Sequence, residues 1–209
     1  MKRIDTRQTK NLIADAIRNE ILSGRLKPGE ELTQEKLAED LEVSRMPIRE
    51  ALHALESEGF VERMPNRHMR VAIIEKGNIQ EVFQVVSAIE TKIASILIEK
   101  EDIQKEIKEY RKMFRDKSEN NGGIEMMFHR WIGSKLNNAY LLPTYDKLLQ
   151  GYVSYTLSEL RRDVDAFLII LNQFAEKMQE HAPENDLKAL LDMYYEKLAA
   201  VMIRHFEKI

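Results

Sequence analysis

The sequence has no cysteine in 209 residues. That excludes disulfides and thiolate metal sites and favours a reducing cytoplasm over an oxidising compartment. No apolar run is long enough to span a bilayer, and the segment Met1–Lys10 lacks the apolar core of a signal peptide. Internal repeats and low-complexity stretches are also missing. Nor does an excess of positive charge advertise nucleic-acid binding: 32 Lys+Arg stand against 35 Asp+Glu, a formal net charge of −3. Residues 1–74 hold 13 of each sign, so the remaining 19 basic and 22 acidic residues carry the whole difference. A DNA footprint must therefore be a local basic face and not a basic domain. What is present is 44% hydrophobic and 32% charged residues, the composition of a soluble, helix-rich protein with one large domain or two smaller ones.

The stretch from Leu32 to Val71 is the most informative. Thr33 suits an N-cap, and Leu37, Ala38 and Leu41 then share one face of a short helix. Glu42-Val43 makes a turn. Ser44 caps a second helix, whose apolar positions Ile48, Ala51, Leu52 and Leu55 recur at helical spacing, with Pro47 tolerated in the first turn. Gly59 suits a left-handed C-cap, and the runs FVERM and MRVAII flank a turn at Pro65-Asn66. A preceding amphipathic helix is read over Thr6–Leu22, ended by Gly24 and a turn-rich connection through Pro28-Gly29. Helices, a tight turn and a hairpin read as a winged helix-turn-helix, a DNA-binding shape.

Beyond a polar boundary at Glu75-Lys76-Gly77-Asn78 the period is almost entirely helical. Helices are expected from Asn78 to about Glu99, Asp102 to Lys117, Ile124 to Leu136, Ala139 towards Arg162, Val164 to His181 and Leu187 to Lys208. Ser118–Gly123 reads as a loop. The fold class is thus mostly α: an N-terminal winged helix-turn-helix (three helices plus a β-hairpin, residues 1–75), then an antiparallel all-α bundle of about six helices (residues 76–209).

In such a motif the second helix enters the major groove with its N-terminal residues facing base edges. Those residues are Ser44, Arg45, Met46 and Arg49. Arg45 and Arg49 share a helical face, and an arginine fork matches the N7/O6 edge of guanine. The alternative leaves them as solvated charges, or one pairs with Glu42 or Glu50. The hairpin tip, with Arg67, His68 and Arg70, is placed to reach phosphate or minor groove. One winged helix offers too little contact for selective binding, so a homodimer on a palindromic operator is expected.

The ordered run Ile21-Leu22-Ser23-Gly24-Arg25-Leu26-Lys27-Pro28-Gly29, then Leu37-Ala38-Glu39, Val43-Ser44-Arg45-Met46-Pro47-Ile48-Arg49-Glu50-Ala51-Leu52, Leu55 and Glu58-Gly59-Phe60-Val61, resembles the GntR transcription regulators. The helical remainder resembles the ligand-binding (FCD-like) domain of their FadR-type branch. The resemblance implies that Arg45 and Arg49 touch DNA. This chain also departs from the family: His68 stands where a glycine is usual, Glu35 where some members place an arginine, and Val86 where an arginine is common. Lys2, Arg3, Arg7 and Lys10 are candidates to compensate electrostatically for the contacts Glu35 forgoes.

The resemblance further implies a divalent metal (zinc, nickel or manganese) held in the bundle, receiving the carboxylate of a small organic-acid effector. Glu125 and His129 match the first ligand pair, with the i,i+4 spacing that puts both on one helix face. His205 matches the last histidine. Pro183 occupies the spacing of the remaining one, leaving Asn172 or His181 as the fourth ligand. The competing reading makes His129 and His205 hydrogen-bonded interior residues. Candidate effector anchors are Arg130, Arg162 and Arg204. The function expected is a ligand-responsive, cytoplasmic repressor with no membrane partner. A purely structural helical domain is the alternative. A metal-dependent enzyme has no nucleophile elbow, HExxH or phosphate loop in its favour.

Overall fold

The computed structural model describes residues 6–100, 103–115 and 123–209. Two compact units divide at Glu75/Lys76. The first contains α1 (Thr6–Leu22), β1 (Glu31–Leu32), α2 (Gln34–Asp40), α3 (Arg45–Ser57), β2 (Val61–Arg63) and β3 (Met69–Val71). Thr33 caps α2 as expected, its hydroxyl accepting from the Lys36 N–H. Ser44 stands at the N-cap of α3 but makes no side-chain capping bond. Gly59 takes φ 80°, which ends α3 and sends the chain into the sheet. Ile48, Ala51, Leu52 and Leu55 are buried against α1, where Ile13, Ile17 and Ile21 form the opposing stripe. Burial of each large aliphatic side chain is worth about 1.5–3 kcal/mol, so this interface fixes the direction of α3.

The hairpin is joined by a strand the sequence did not announce. β1 pairs antiparallel with β3, giving the order β1-β3-β2. Two residues are too few for an alternation signal. In β3, Met69 and Val71 point into the core, so Arg70 lies on the other face, opposite Glu62 on β2 and Glu31 on β1.

The second unit is all α: α4 (Lys76–Leu97), α5 (Gln104–Arg115), α6 (Gly123–Ser134), α7 (Leu142–Leu149), α8 (Tyr152–Glu159), α9 (Val164–Gln179) and α10 (Glu184–Phe206). These are seven helices among the described residues. The single helix expected from Ala139 to Arg162 is two, because Gly151 adopts φ 75° and breaks the hydrogen-bond ladder between α7 and α8. Helix α4 begins at Lys76, ahead of the expected cap Asn78. Most of the loop expected at Ser118–Gly123 lies outside the described residues, as do Lys2 and Arg3 and the side chain of Arg7; Gly123 opens α6. Helices α4 and α10 are antiparallel: Ser87 bonds Asp192 at 2.7 Å, while Lys92, a turn later, reaches back to Glu184 at 2.8 Å.

Candidate nucleic-acid interface and the buried polar cluster

At the start of α3, Ser44, Arg45, Met46 and Arg49 are all exposed. Each faces away from the buried stripe that packs on α1. The Arg49 guanidinium rests on the Met46 sulfur at 3.0 Å. Arg45 pairs with neither Glu42 nor Glu50. Its Nη1 lies 2.8 Å from Oε1 of Glu35, on α2. A shallow hollow of about 90 Å³ joins helix to wing, lined by Gln34, Arg49, His53, Arg63 and Arg67 among others. A concentration of guanidinium groups around a hollow of that size suits a phosphate group.

The wing turns without a glycine. Arg67 supplies the left-handed residue (φ 67°), and the Asn66 side chain accepts from the His68 N–H at 3.1 Å. His68 therefore needs no positive φ of its own, which explains how it can replace a glycine. Arg67 and His68 are exposed; Arg70 is half-buried and bonds Glu62 at 2.7 Å, while His68 meets Glu31. The carboxylates of this unit sit on its cations, consistent with its balanced charge.

Another residue, Arg18 on α1, carries no sequence signal of a role. It is 6% exposed, lies over the Phe60 ring, and pairs with Glu58 at the C-cap of α3 at 2.6 Å. It clamps the far end of α3 to α1.

The metal expected in the helical unit is a correction. Among the described residues no group of three or more histidine, cysteine, aspartate and glutamate side chains could hold an ion. Glu125 and His129 are on one face of α6 and fully buried, but protein groups already occupy them. His129 Nδ1 is 2.7 Å from Glu90 and Nε2 is 3.0 Å from the Tyr194 hydroxyl. Tyr194 donates to Glu125 at 2.6 Å, and Arg162 holds the other Glu125 oxygen. His205 packs instead against the rings of Tyr155 and Phe206. Asn172 accepts from Arg111, on the α5–α9 side, and His181 takes φ 52° just past the end of α9. Zinc, nickel or manganese at Glu125, His129 and His205 is thus overturned, with Asn172 and His181 as completing ligands. The Arg162 guanidinium supplies the positive charge that a metal would have brought to Glu125.

Both carboxylates of the cluster and both ring nitrogens of His129 are partnered within the protein. Glu90 accepts from His129, Tyr145 and Tyr195, each at 2.7 Å. Two carboxylates (Glu90, Glu125) thus face His129 and Arg162. Burial alone would raise the Glu90 pKa, but the His129 charge and the hydrogen bonds from His129, Tyr145 and Tyr195 hold it below 4.5. At Glu125 burial wins over the Arg162 charge and the Tyr194 bond, and its pKa is raised. The Arg162 side chain is 3% exposed, donates to the Leu157 carbonyl at 3.1 Å and leaves its Nε without a hydrogen-bond partner. Of the three candidate effector anchors only Arg162 points inward; Arg130 and Arg204 are exposed. Sequence reading singled out neither Tyr145 nor Tyr195. Glu90 could have been found, since it interrupts the apolar stripe Val86, Ile93, Ala94, Leu97 of α4 with a charge.

Among the described residues no helix is long and apolar enough to cross a membrane. Residues 9–71 match the family described as bacterial regulatory proteins, gntR family. The chain is 28% identical over 156 residues to the gluconate operon transcriptional repressor of Bacillus licheniformis, covering 71% of this chain and 64% of that one. It is 25% identical over 129 residues to the HTH-type transcriptional regulator YdhC of Bacillus subtilis, covering 58% of each. The chain therefore spans about three-fifths of the length of these relatives. Two solved structures share the fold across both units: E. coli McbR/YncC (TM-score 0.66, 17% identity, 95% of this chain and 98% of that one) and a transcriptional regulator from Rhodococcus sp. RHA1 (TM-score 0.60, 18%, 93% and 97%). Both curated relatives are described as regulators of transcription. Residues 9–71, folded as a winged helix-turn-helix, are thus similar to the gntR family of bacterial regulatory proteins, and an all-helical unit follows them.

Proposed function

We propose that this protein is a sequence-specific DNA-binding repressor of the FadR type, acting in the cytoplasm as a homodimer on a palindromic operator. The observation that carries this reading is the exposed face formed by Arg45, Met46 and Arg49 at the start of α3, continuous with Arg67 through the hollow beside the wing. Ser44, Arg45, Met46 and Arg49 would meet base edges in the major groove, and Arg67, His68 and Arg70 the backbone. Each arginine that grips a guanine contributes about 1–3 kcal/mol. Arg45→Ala and Arg49→Ala are each expected to weaken binding to the cognate duplex by about 5- to 150-fold on that basis. The thermal melt should stay within a degree or two of wild type, because both side chains are exposed. Undiminished affinity in the double variant, measured by fluorescence anisotropy, refutes the assignment.

In the same reading the helical unit receives a small organic carboxylate at Arg162, where the ligand displaces Glu125. Support comes from the buried guanidinium with a spare donor at Nε, and from a raised Glu125 pKa that eases its neutralisation. Gluconate, suggested by the relative's name, is the first compound to titrate. A second reading, a helical unit that is structural only, is favoured by the completeness of the Glu90–His129–Tyr194–Glu125–Arg162 chain. Calorimetric titration with a panel of hydroxy acids separates them: binding lost in Glu125→Ala/Arg162→Met supports the first, no heat from any acid the second.

A further inference from the structure

We propose that Glu35 is a positioning residue for DNA readout, holding Arg45 ready for a base while keeping it from non-cognate phosphates. This rests on the DNA-binding reading above. Nη1 of Arg45 lies 2.8 Å from Glu35, and no other partner of the guanidinium stands among the described residues. The edge formed by Nε and Nη2 has no partner, and it can donate two parallel bonds to the O6 and N7 of guanine while Nη1 stays on Glu35. Arg49, the neighbouring arginine on the same face, has a thioether beside it and no carboxylate. The two arginines thus differ: Arg45 is tethered to a carboxylate and Arg49 is not.

An exposed pair of this kind adds little to the free protein, both side chains being more than 60% accessible (67% and 62%). It gains strength when DNA covers it and water is excluded. On cognate DNA the tether then fixes the fork with no pair to break. On non-cognate DNA, Arg45 stays on Glu35 and adds no phosphate contact, while the carboxylate repels the backbone. Removing the carboxylate should therefore tighten binding to non-cognate DNA without tightening it on cognate DNA, which simple charge repulsion does not do.

The test uses the full-length protein, a duplex enriched by the wild type from a random-sequence pool, and a mixed-sequence duplex of equal length. Glu35→Gln is expected to bind the mixed duplex several-fold more tightly, with the slope of log affinity against log salt steeper by about 0.9, one added phosphate contact. Its affinity for the enriched duplex should stay level or fall, and its preference for guanine at one base pair of each half-site should relax. In an Arg45→Ala background the steeper slope and the relaxed preference should both vanish. Equal tightening on both duplexes, or a slope change that survives Arg45→Ala, overturns the proposal and makes Glu35 a repelling charge only. If the wild type enriches no sequence at all, the DNA-binding reading itself fails, and this inference with it.

Discussion

Replacing Glu90 by alanine tests the interior of the helical unit most severely. The carboxylate is fully buried and accepts three hydrogen bonds at 2.7 Å, from His129, Tyr145 and Tyr195. Truncation strands all three donors, each costing about 1–3 kcal/mol when left without a partner or water. It also leaves His129 and Arg162 facing Glu125 alone. Removing one partner of a buried ion pair typically costs about 3–5 kcal/mol, and the lower end of the three-donor sum falls in that range. The net loss should be about 3–5 kcal/mol, since collapse of the site or an entering water relieves part of the larger sum. At about 2–4 °C per kcal/mol for a protein of this size, the helical transition should fall by roughly 6–20 °C. Far-UV circular dichroism follows it well, because the unit is all helix. Tyr145→Phe, which removes one donor and strands none, should cost only about 1 kcal/mol. An alanine variant melting within about 2 °C of wild type would show that the cluster adds nothing to the fold.

The same residue sets a pH dependence. The folded-state pKa of Glu90 lies below 4.5, so its stabilisation is complete above that pH and is lost as pH falls through the lower folded value. The stability difference between wild type and Glu90→Gln, from urea titrations, should hold from pH 7 to about pH 5 and shrink in more acid solution; a difference that grows on acidification contradicts the sign. Gly133→Ala should also destabilise the helical unit, because a Cβ there would meet the Tyr145 ring at 2.4 Å. Moving that ring drags its hydroxyl from Glu90, for about 1–3 kcal/mol of overpacking; a melt unchanged within error refutes the contact.

The winged helix was legible because its signals are local. Thr33 caps α2, Gly59 ends α3, and Ile48, Ala51, Leu52 and Leu55 mark the buried face at the helical period. The charge balance of residues 1–74 foreshadowed a face on which carboxylates sit against cations, although the partners chosen (Glu35 for Arg45, Glu62 for Arg70) depend on which strands and helices meet. The strand β1 was invisible for want of length. In the helical unit, spacing correctly put Glu125 and His129 on one face, but spacing says nothing of what stands opposite. Tyr194 and Tyr195 from α10, Glu90 from α4 and Arg162 from the α8–α9 connection fill that space, and they turn a candidate ligand set into a closed polar core. The break between α7 and α8 depended on Gly151 taking a left-handed conformation, which periodicity alone does not reveal.

The most direct measurement is enrichment from a random-sequence duplex pool by the full-length protein, in parallel with Arg45→Ala/Arg49→Ala. The account predicts that the wild type enriches a two-fold symmetric sequence. Its affinity for that sequence should exceed its affinity for the starting pool by about 10³-fold or more, and the double variant should enrich nothing. A wild type that leaves the pool unchanged, or a double variant that selects the same palindrome, contradicts the assignment of α3 as the element that reads DNA.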